Sequence, residues 1–375
     1  MKVAVVLGTR PEIIKMSPII RECERLNLEY FILHTGQHYS YNMDKAFFEH
    51  LELPNTRYNL EIGPGSHGEQ TGKAIAGIEK VLKTERPDVV LVEGDTNSTF
   101  AGAFAATKLG IKVGHVEAGL RSYDRTMPEE VNRVLIDHCS DYLFAPTEKA
   151  KTILSGEGIT KEKIFVTGNT IVDAVYQNLE IANRTRKTTE DLCLQPQKYF
   201  IATVHRQENV DNKKRFSSIL KGLEKAGTKF DAQIVFPIHP RSRKRIKEYH
   251  LRPSGIQLVD PVDFLSFLQL EKNAKLVFTD SGGVQEETCI LKVPCITLRD
   301  NTERPETIEV GSNILAGTDP RMILKYTKRM LRRKNNWANP FGDGNAGKRI
   351  IEILKDQLGS TAPSLRGIGK SEDQS

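Results

Sequence analysis

Short runs of β-branched and aromatic residues alternate with amphipathic stretches along most of this chain, and that alternation leaves few folds open. The runs are VAVVL (3–7), YFILH (30–34), DVVLVE (88–93), KVGHV (112–116), YLFA (142–145) and KIFVT (163–167). Between them lie helical stretches such as PEIIKMSPIIRECERL (11–26) and EEVNRVLIDHC (129–139). Strand, turn and helix in repetition give parallel strands joined by crossover helices. The fold class is therefore α/β, with parallel doubly wound sheets carrying helices on both faces. The pattern pauses at NRTRKTTEDLCLQPQK (183–198), which is polar and has no apolar period. It resumes at YFIATV (199–204), AQIVFP (232–237), GIQLV (255–259), AKLVFT (274–279) and VPCITL (293–298). The pause reads as a linker between two Rossmann-like domains, 1–182 and 199–340. Residues 319–334 and 344–357 read as terminal helices, and 359–375, short of apolar residues, as a flexible tail.

A length of 375 residues gives each domain enough chain for its own core. The formal net charge is only +6, and the densest basic stretches, RSRKRIK (241–247) and LRRK (331–334), read as solvated helix faces. No nucleic-acid partner is expected. Met1 leads directly into a strand, and no apolar run approaches the length of a membrane span, so the expected setting is cytoplasmic. The five cysteines are scattered and form no CxxC, which suits reduced, buried thiols. With no HxxxH or HExxH pattern, no metal is expected.

The chemistry-bearing motifs sit where strands end. GTRPEIIK (8–15) has Gly8 for a tight turn, Pro11 at the first helical position, and Arg10 and Lys15 around a helix start. Cations beside free helical N–H groups make an anion pocket. The alternative is an ordinary βα turn with surface charge. Asp95 in GDTNST (94–99) and Glu117 in HVEAGLRS (115–122) follow apolar strands, where a carboxylate can face a cleft and have its pKa tuned. Asp95 reads equally as a helix N-cap, and Glu117 as a structural ion pair. PEEVNR (128–133) adds Glu129, Glu130 and Arg133 at another helix start. GPGSHG (63–68) matches G-x-G-x-x-G but holds a proline and does not follow the first strand. Ser66 with Glu69 reads there as a capping box, so neither a nicotinamide nor an ATP site is expected.

In the second half, TVHRQEN (203–209) puts His205 and Arg206 at a strand end, and HPRSR (239–243) repeats that arrangement one strand later or is plain turn chemistry. TDSGGVQEE (279–287) is the most specific signal. Its Gly282 and Gly283 expose backbone N–H groups suited to a diphosphate. Ser281 caps the helix or binds phosphate, and Glu287, about one turn on, is placed to hold a ribose. ERPETIEVG (303–311) adds Arg304 on a loop that also reads as a rigid surface turn. Paired carboxylates with an anion-binding loop are the equipment of an enzyme that moves protons on a nucleotide-activated substrate.

Taken in order, GTRPEIIK, GDTNST, HVEAGLRS, PEEVNR, HRQEN, TDSGGVQEE, ERPE and NPFGDGNA (339–346) resemble the non-hydrolysing UDP-N-acetylglucosamine 2-epimerase family over roughly residues 1–355. The resemblance implies a glycosyltransferase-B-like fold, two Rossmann-type domains around a central cleft, with a terminal helix (341–358) packed back on the first domain. It implies that Arg10, Lys15, His205, Phe267, Ser281, Gly282, Gly283, Glu287 and Arg304 hold UDP. Asp95 and Glu117 would contact the sugar as well. Asp95, Glu117 and Glu129 would be the acid–base carboxylates, supported by Arg133, with His205 stabilising the leaving group. Chain-specific departures lie in GQHYSYNMDK (36–45) and GSHGEQTG (65–72), regions associated with activation by a second substrate molecule, and at Val262, where a Gln is common.

The expected reaction is reversible inversion at C2 of UDP-N-acetylglucosamine to give UDP-N-acetylmannosamine, by elimination and re-addition of UDP through a glycal and without a cofactor. The product would feed polysaccharide biosynthesis, and the expected assembly is a homodimer. Alternatives are a UDP-sugar glycosyltransferase of the same fold, a hydrolysing 2-epimerase, or a non-catalytic nucleotide-sugar sensor, which has no use for three carboxylates.

Overall fold

The computed structural model describes residues 1–37 and 41–359; the tail 360–375 and part of GQHYSYNMDK lie outside the described residues. By its contacts the chain divides into two units, Met1–Thr170 together with the chain from Asn345, and Ile171–Gly344.

The first unit is built on strands β1 (Lys2–Leu7), β2 (Glu29–His34), β3 (Tyr58–Asn59), β4 (Val89–Glu93), β5 (Lys112–Val116), β6 (Tyr142–Ala145) and β7 (Ile164–Val166). They form one sheet in the order β3-β2-β1-β4-β5-β6-β7, every pair parallel. Parallel strands covered on both faces read as unbroken apolar runs, and Val3 to Leu7 and Val89 to Val92 are all buried. The register matters for function. Leu7 pairs with His34 and Glu93 with Val116, so the turns carrying Gly8, Asp95 and Glu117 leave the sheet at one carboxyl edge.

Helix Arg10–Arg25 starts with Pro11 in its first turn. Helix Ala346–Gly359 packs against it. Gly347 permits that approach, since a Cβ there would come within 3.1 Å of Pro18. Ile350, Ile351 and Leu354 are buried beneath.

The second unit has strands β8 (Tyr199–Thr203), β9 (Gln233–Pro237), β10 (Ile256–Val259), β11 (Leu276–Thr279), β12 (Cys295–Thr297) and β13 (Asn313–Leu315). Their order is β10-β9-β8-β11-β12-β13, again wholly parallel. Its core includes Phe200, Phe216, Phe236 and Phe278, with Phe200 and Phe278 edge-to-face at 5.8 Å. Thr279 pairs with Thr203 and with Thr297, which delivers the segments after β8, β11 and β12 to one edge.

Several elements depart from the sequence reading. The edge strands β3 and β13, two and three residues long, carry too little pattern to be seen in advance. Residues 183–198, expected to link the domains, begin inside helix Thr170–Thr185 and then pack on the second unit. There Thr188 N donates to Gln269 Oε1 (2.8 Å), Gln269 Nε2 donates to Arg186 O (3.1 Å), and Arg186 pairs with Asp263. Polar contacts of this kind leave no apolar period. Cys193 is exposed, in a turn after helix Thr188–Asp191, whereas Cys23, Cys289 and Cys295 are buried as expected and Cys139 is half-buried. Among the described residues no helix is long and apolar enough to cross a membrane.

Candidate active site

In the first unit the site starts at Gly8. A Cβ here would lie 2.2 Å from both Thr35 Oγ1 and Ser98 Oγ, which are themselves hydrogen-bonded at 2.7 Å. The absence of a side chain therefore lets the β1 turn close on the loop after β4. Glu12 locks the two together. Its buried carboxylate accepts from Gly8 N (2.8 Å), Thr9 N (2.6 Å), Thr96 Oγ1 (2.7 Å) and Thr99 Oγ1 (2.8 Å). Burial raises its pKa, and those bonds oppose the shift by favouring the charged form.

The loop after β4 holds Asp95, but Asp95 is not a cap. Thr96 caps helix Asn97–Lys108, its hydroxyl accepting from Thr99 N. Asp95 pairs instead with Arg133, Oδ2 to Nη2 at 2.5 Å, and Asn132 Nδ2 holds the Asp95 carbonyl at 2.9 Å. Arg133 is tied in turn to Glu130 at 2.9 Å. Glu130 is buried at the start of helix Pro128–Cys139, where it accepts from Ser122 N, Ser122 Oγ and Tyr123 N. Burial pushes its pKa up, but these bonds and Arg133 prevail and hold it below the usual carboxylate range. Glu129, its neighbour, is exposed.

Glu117 occupies a left-handed backbone conformation, φ 70°, uncommon for a residue with a Cβ and of the kind that clusters at functional sites. A buried polar set supports this turn. His115 Nδ1 meets Asp137 Oδ1 at 2.7 Å, and its Nε2 meets the Gly94 carbonyl at 2.9 Å. Asp137 Oδ2 accepts from Gly119 N (3.2 Å) and pairs with Arg121 (2.7 Å). One imidazole thus ties the Asp95 loop to the Glu117 loop. Lys15 pairs with Glu117 and lies 3.2 Å from Glu93. Arg10 lies with its guanidinium 5.4 Å from the Phe47 ring. The structure therefore joins Lys15 to Glu117 and Asp95 to Arg133. Sequence reasoning missed Glu12, Glu93, His115 and Asp137.

In the second unit the organising residue is Asp280, fully buried. It accepts from His205 N (3.0 Å), Arg206 N (2.9 Å) and Asn209 Nδ2 (3.1 Å), and pairs with His205 Nδ1 at 3.2 Å. Burial raises its pKa, yet His205 and these donors win and depress it. The His205 loop is fixed by this means to the TDSGG turn. The half-exposed His205 ring lies 5.6 Å from that of His239. Burial and the neighbouring His205 lower the pKa of His239.

Ser281 precedes helix Gly282–Leu291, and its hydroxyl makes no capping bond. Around Gly283 the nearest atoms to an added Cβ would be Glu287 Oε1 and Ser281 Oγ, both 3.9 Å away. The helix start is therefore open, flanked by a hydroxyl and a carboxyl. The Glu287 carboxyl is pushed up to about 7 by burial and by the charge of Glu286, and it is electrostatically coupled to Glu271, a fully buried acid on helix Phe264–Asn273. Phe267 lies half-buried on that same helix, which packs beside Gly282–Leu291. Arg304 pairs with Glu286 at 2.7 Å. Arg299, which no motif flagged, is buried against Glu303 (2.6 Å).

Two parallel α/β units, one with ion-paired carboxylates and the other with a glycine-rich helix start at their strand ends, define the glycosyltransferase-B-like class. Comparison narrows it. A family model described as UDP-N-acetylglucosamine 2-epimerase matches residues 21–355. The UDP-N-acetylglucosamine 2-epimerase of Methanocaldococcus jannaschii is 58% identical over 361 residues, covering 94% of this chain and 99% of that one. The crystal structure of the M. jannaschii UDP-GlcNAc 2-epimerase in complex with UDP-GlcNAc and UDP matches with a TM-score of 0.82 and 58% identity, over 95% of this chain and all of that one. The UDP-2,3-diacetamido-2,3-dideoxy-D-glucuronate 2-epimerase of Pseudomonas aeruginosa is 41% identical over 359 residues, 94% of this chain and 99% of that one. The chain belongs to the UDP-N-acetylglucosamine 2-epimerase family.

Proposed function

We propose that this protein is an isomerase that inverts C2 of UDP-N-acetylglucosamine, reversibly forming UDP-N-acetylmannosamine. The observation carrying this reading is the pairing of Lys15 with Glu117 and of Asp95 with Arg133 at one sheet edge, in a chain of this family. The C2 proton is not acidic in the intact sugar. Breaking the C1–O bond to UDP first builds positive charge at C1 and makes that proton labile. A carboxylate among Asp95, Glu117 and Glu129 removes it, and the C2–H electron pair becomes the C1=C2 bond of a glycal. Protonation of C2 from the opposite face and re-addition of the diphosphate oxygen at C1 complete the inversion. No electron leaves the sugar, so the overall step needs no redox partner.

UDP is held by the second unit, the diphosphate at Ser281, Gly282 and Gly283 with His205 and Arg304, the ribose at Glu287 and the base near Phe267. Arg10 and Lys15 are read as further phosphate-binding cations, on the first unit. Charge developing on the leaving group is stabilised by fixed donors and cations. A cytoplasmic setting suits the five free thiols, and a homodimer is the proposed assembly.

The test is isotopic. With UDP-N-acetylglucosamine in heavy water, deuterium should enter C2 of both sugar nucleotides as they equilibrate. Epimer formed with its original hydrogen at C2 would sink the elimination route, and absence of any epimer would sink the function. A glycosyltransferase or a sensor leaves C2 untouched, and a hydrolysing enzyme releases free sugar. A second reading has support in the P. aeruginosa relative, whose name gives the same C2 inversion on a diacetamido-glucuronate sugar. Offering both sugar nucleotides in parallel separates the two.

A further inference from the structure

Two carboxylates, Glu93 and Glu117, gather around one ammonium, Lys15, at the first unit's strand ends, and the charge of a third, Glu12, is felt at Glu93. Their charges are settled in different ways. Glu12 is met by four neutral donors and has no need of the lysine. Glu117 takes the lysine directly. Glu93 is left over. It closes β4, is 3% exposed, and its Oε1, although 3.2 Å from Lys15 Nζ, receives no hydrogen bond. Its carboxyl lies within hydrogen-bonding reach of Glu117. From the other elements packed there, helix Asn97–Lys108 offers Glu93 only Thr99, whose hydroxyl bonds the Glu93 carbonyl. Helix Pro128–Cys139 directs Arg133 to Asp95 and Asp137 to His115. One lysine cannot neutralise two buried carboxylates.

We infer that Glu93 carries a proton and donates it to Glu117, so that the two form a proton-sharing pair in which Glu93 positions and tunes the acid–base residue. Burial first and the neighbouring Glu117 next hold the Glu93 carboxyl well above its ordinary range, against the opposing pull of Lys15. The inference rests on the reading of Glu117 as an acid–base group. Its working form is the singly protonated pair. With both protonated, Glu117 cannot take a proton from C2. With neither protonated, the pair has no proton to share and repels the charge building on the departing diphosphate. Two coupled carboxyls titrate as one unit with two macroscopic steps, so the kcat profile is bell-shaped and its alkaline limb belongs to Glu93.

The test uses the full chain with UDP-N-acetylglucosamine, following kcat and KM from pH 5 to 10. Glu93→Gln keeps a donor toward Glu117 but cannot ionise. Its kcat at the optimum should fall less than about tenfold, and the alkaline limb should vanish. Glu93→Met, similar in length and without a donor, should lose more than about tenfold in kcat with KM held within about twofold. If the wild type epimerises and Glu93→Gln retains the alkaline limb in place, this inference alone is overturned. A wild type that forms no epimer defeats the assigned reaction, and this inference with it. Should the glutamine variant not fold, Glu93→Met decides, since a parallel loss in KM and kcat would mark a merely structural role.

Discussion

Asp95 and Glu117 are paired with different cations, Asp95 with Arg133 at 2.5 Å and Glu117 with Lys15. Replacing either carboxylate by its amide keeps the shape and removes the proton chemistry. Asp95→Asn and Glu117→Gln should each lower kcat by roughly 10²–10⁴ while UDP affinity stays within about threefold. His205→Ala and Arg304→Ala should slow turnover and also weaken UDP, each by about 1.5–3 kcal/mol, the range for a hydrogen bond to a charged group. Steady-state kinetics beside calorimetric UDP titrations checks both. Full activity in the amide variants would remove those carboxylates from the reaction. The second carboxyl pair, Glu271 with Glu287, makes a claim about stability. Folding raises the Glu287 pKa from an ordinary 4.5 to about 7, so the folded state binds the proton more tightly. The stability this contributes is complete below about 4.5 and is lost as pH rises through about 7. Glu287→Gln cannot ionise and should flatten the second unit's melting temperature between pH 5 and 8. The difference from wild type should be on the order of 2 kcal/mol at pH 8. Parallel melting curves for the two proteins would refute it.

Three strand-end turns are each held by one buried acid that ties segments remote in sequence. Glu12 joins the β1 turn to the β4 loop, Asp137 joins His115 and Gly119, and Asp280 joins the His205 loop to the TDSGG turn. Where such a junction also needs close approach, glycine is required. Gly8→Ala would force its methyl onto Thr35 and Ser98. It should destabilise the protein by about 1–3 kcal/mol in urea titrations, with turnover falling as the Asp95 loop shifts. An alanine variant as stable and active as wild type would show that the loop yields without loss. These junctions explain what the sequence could disclose. The buried strands announce themselves as apolar runs, the glycine turns by composition, and the Ser66 cap by its spacing, its hydroxyl accepting from Glu69 N. Family resemblance drew Asp95, Glu117, His205 and Ser281 into one set. Glu93, Asp137 and Glu271 stayed hidden because a lone acid inside or beside an apolar run has no period, and its partner arrives from another segment. Lys15 was legible as a cation, but its engagement with Glu93 was not.

At the scale of the molecule, two sheets of one type are produced by one chain, and the first unit is discontinuous, closing only with helix Ala346–Gly359. That helix rests on Arg10–Arg25, where Gly347 comes against Pro18 and a Cβ would stand 3.1 Å away. The fit has a temporal consequence. During synthesis the opening helix and its sheet emerge first, and all of Ile171–Gly344 is translated before the covering helix exists. At roughly 5–20 residues per second, that interval is on the order of ten to forty seconds. Through it, the surface that Ile350, Ile351 and Leu354 will cover stands bare. The nascent first unit is thus a half-sealed body waiting on the ribosome, and its completion serves as a checkpoint that only a fully translated second unit can satisfy.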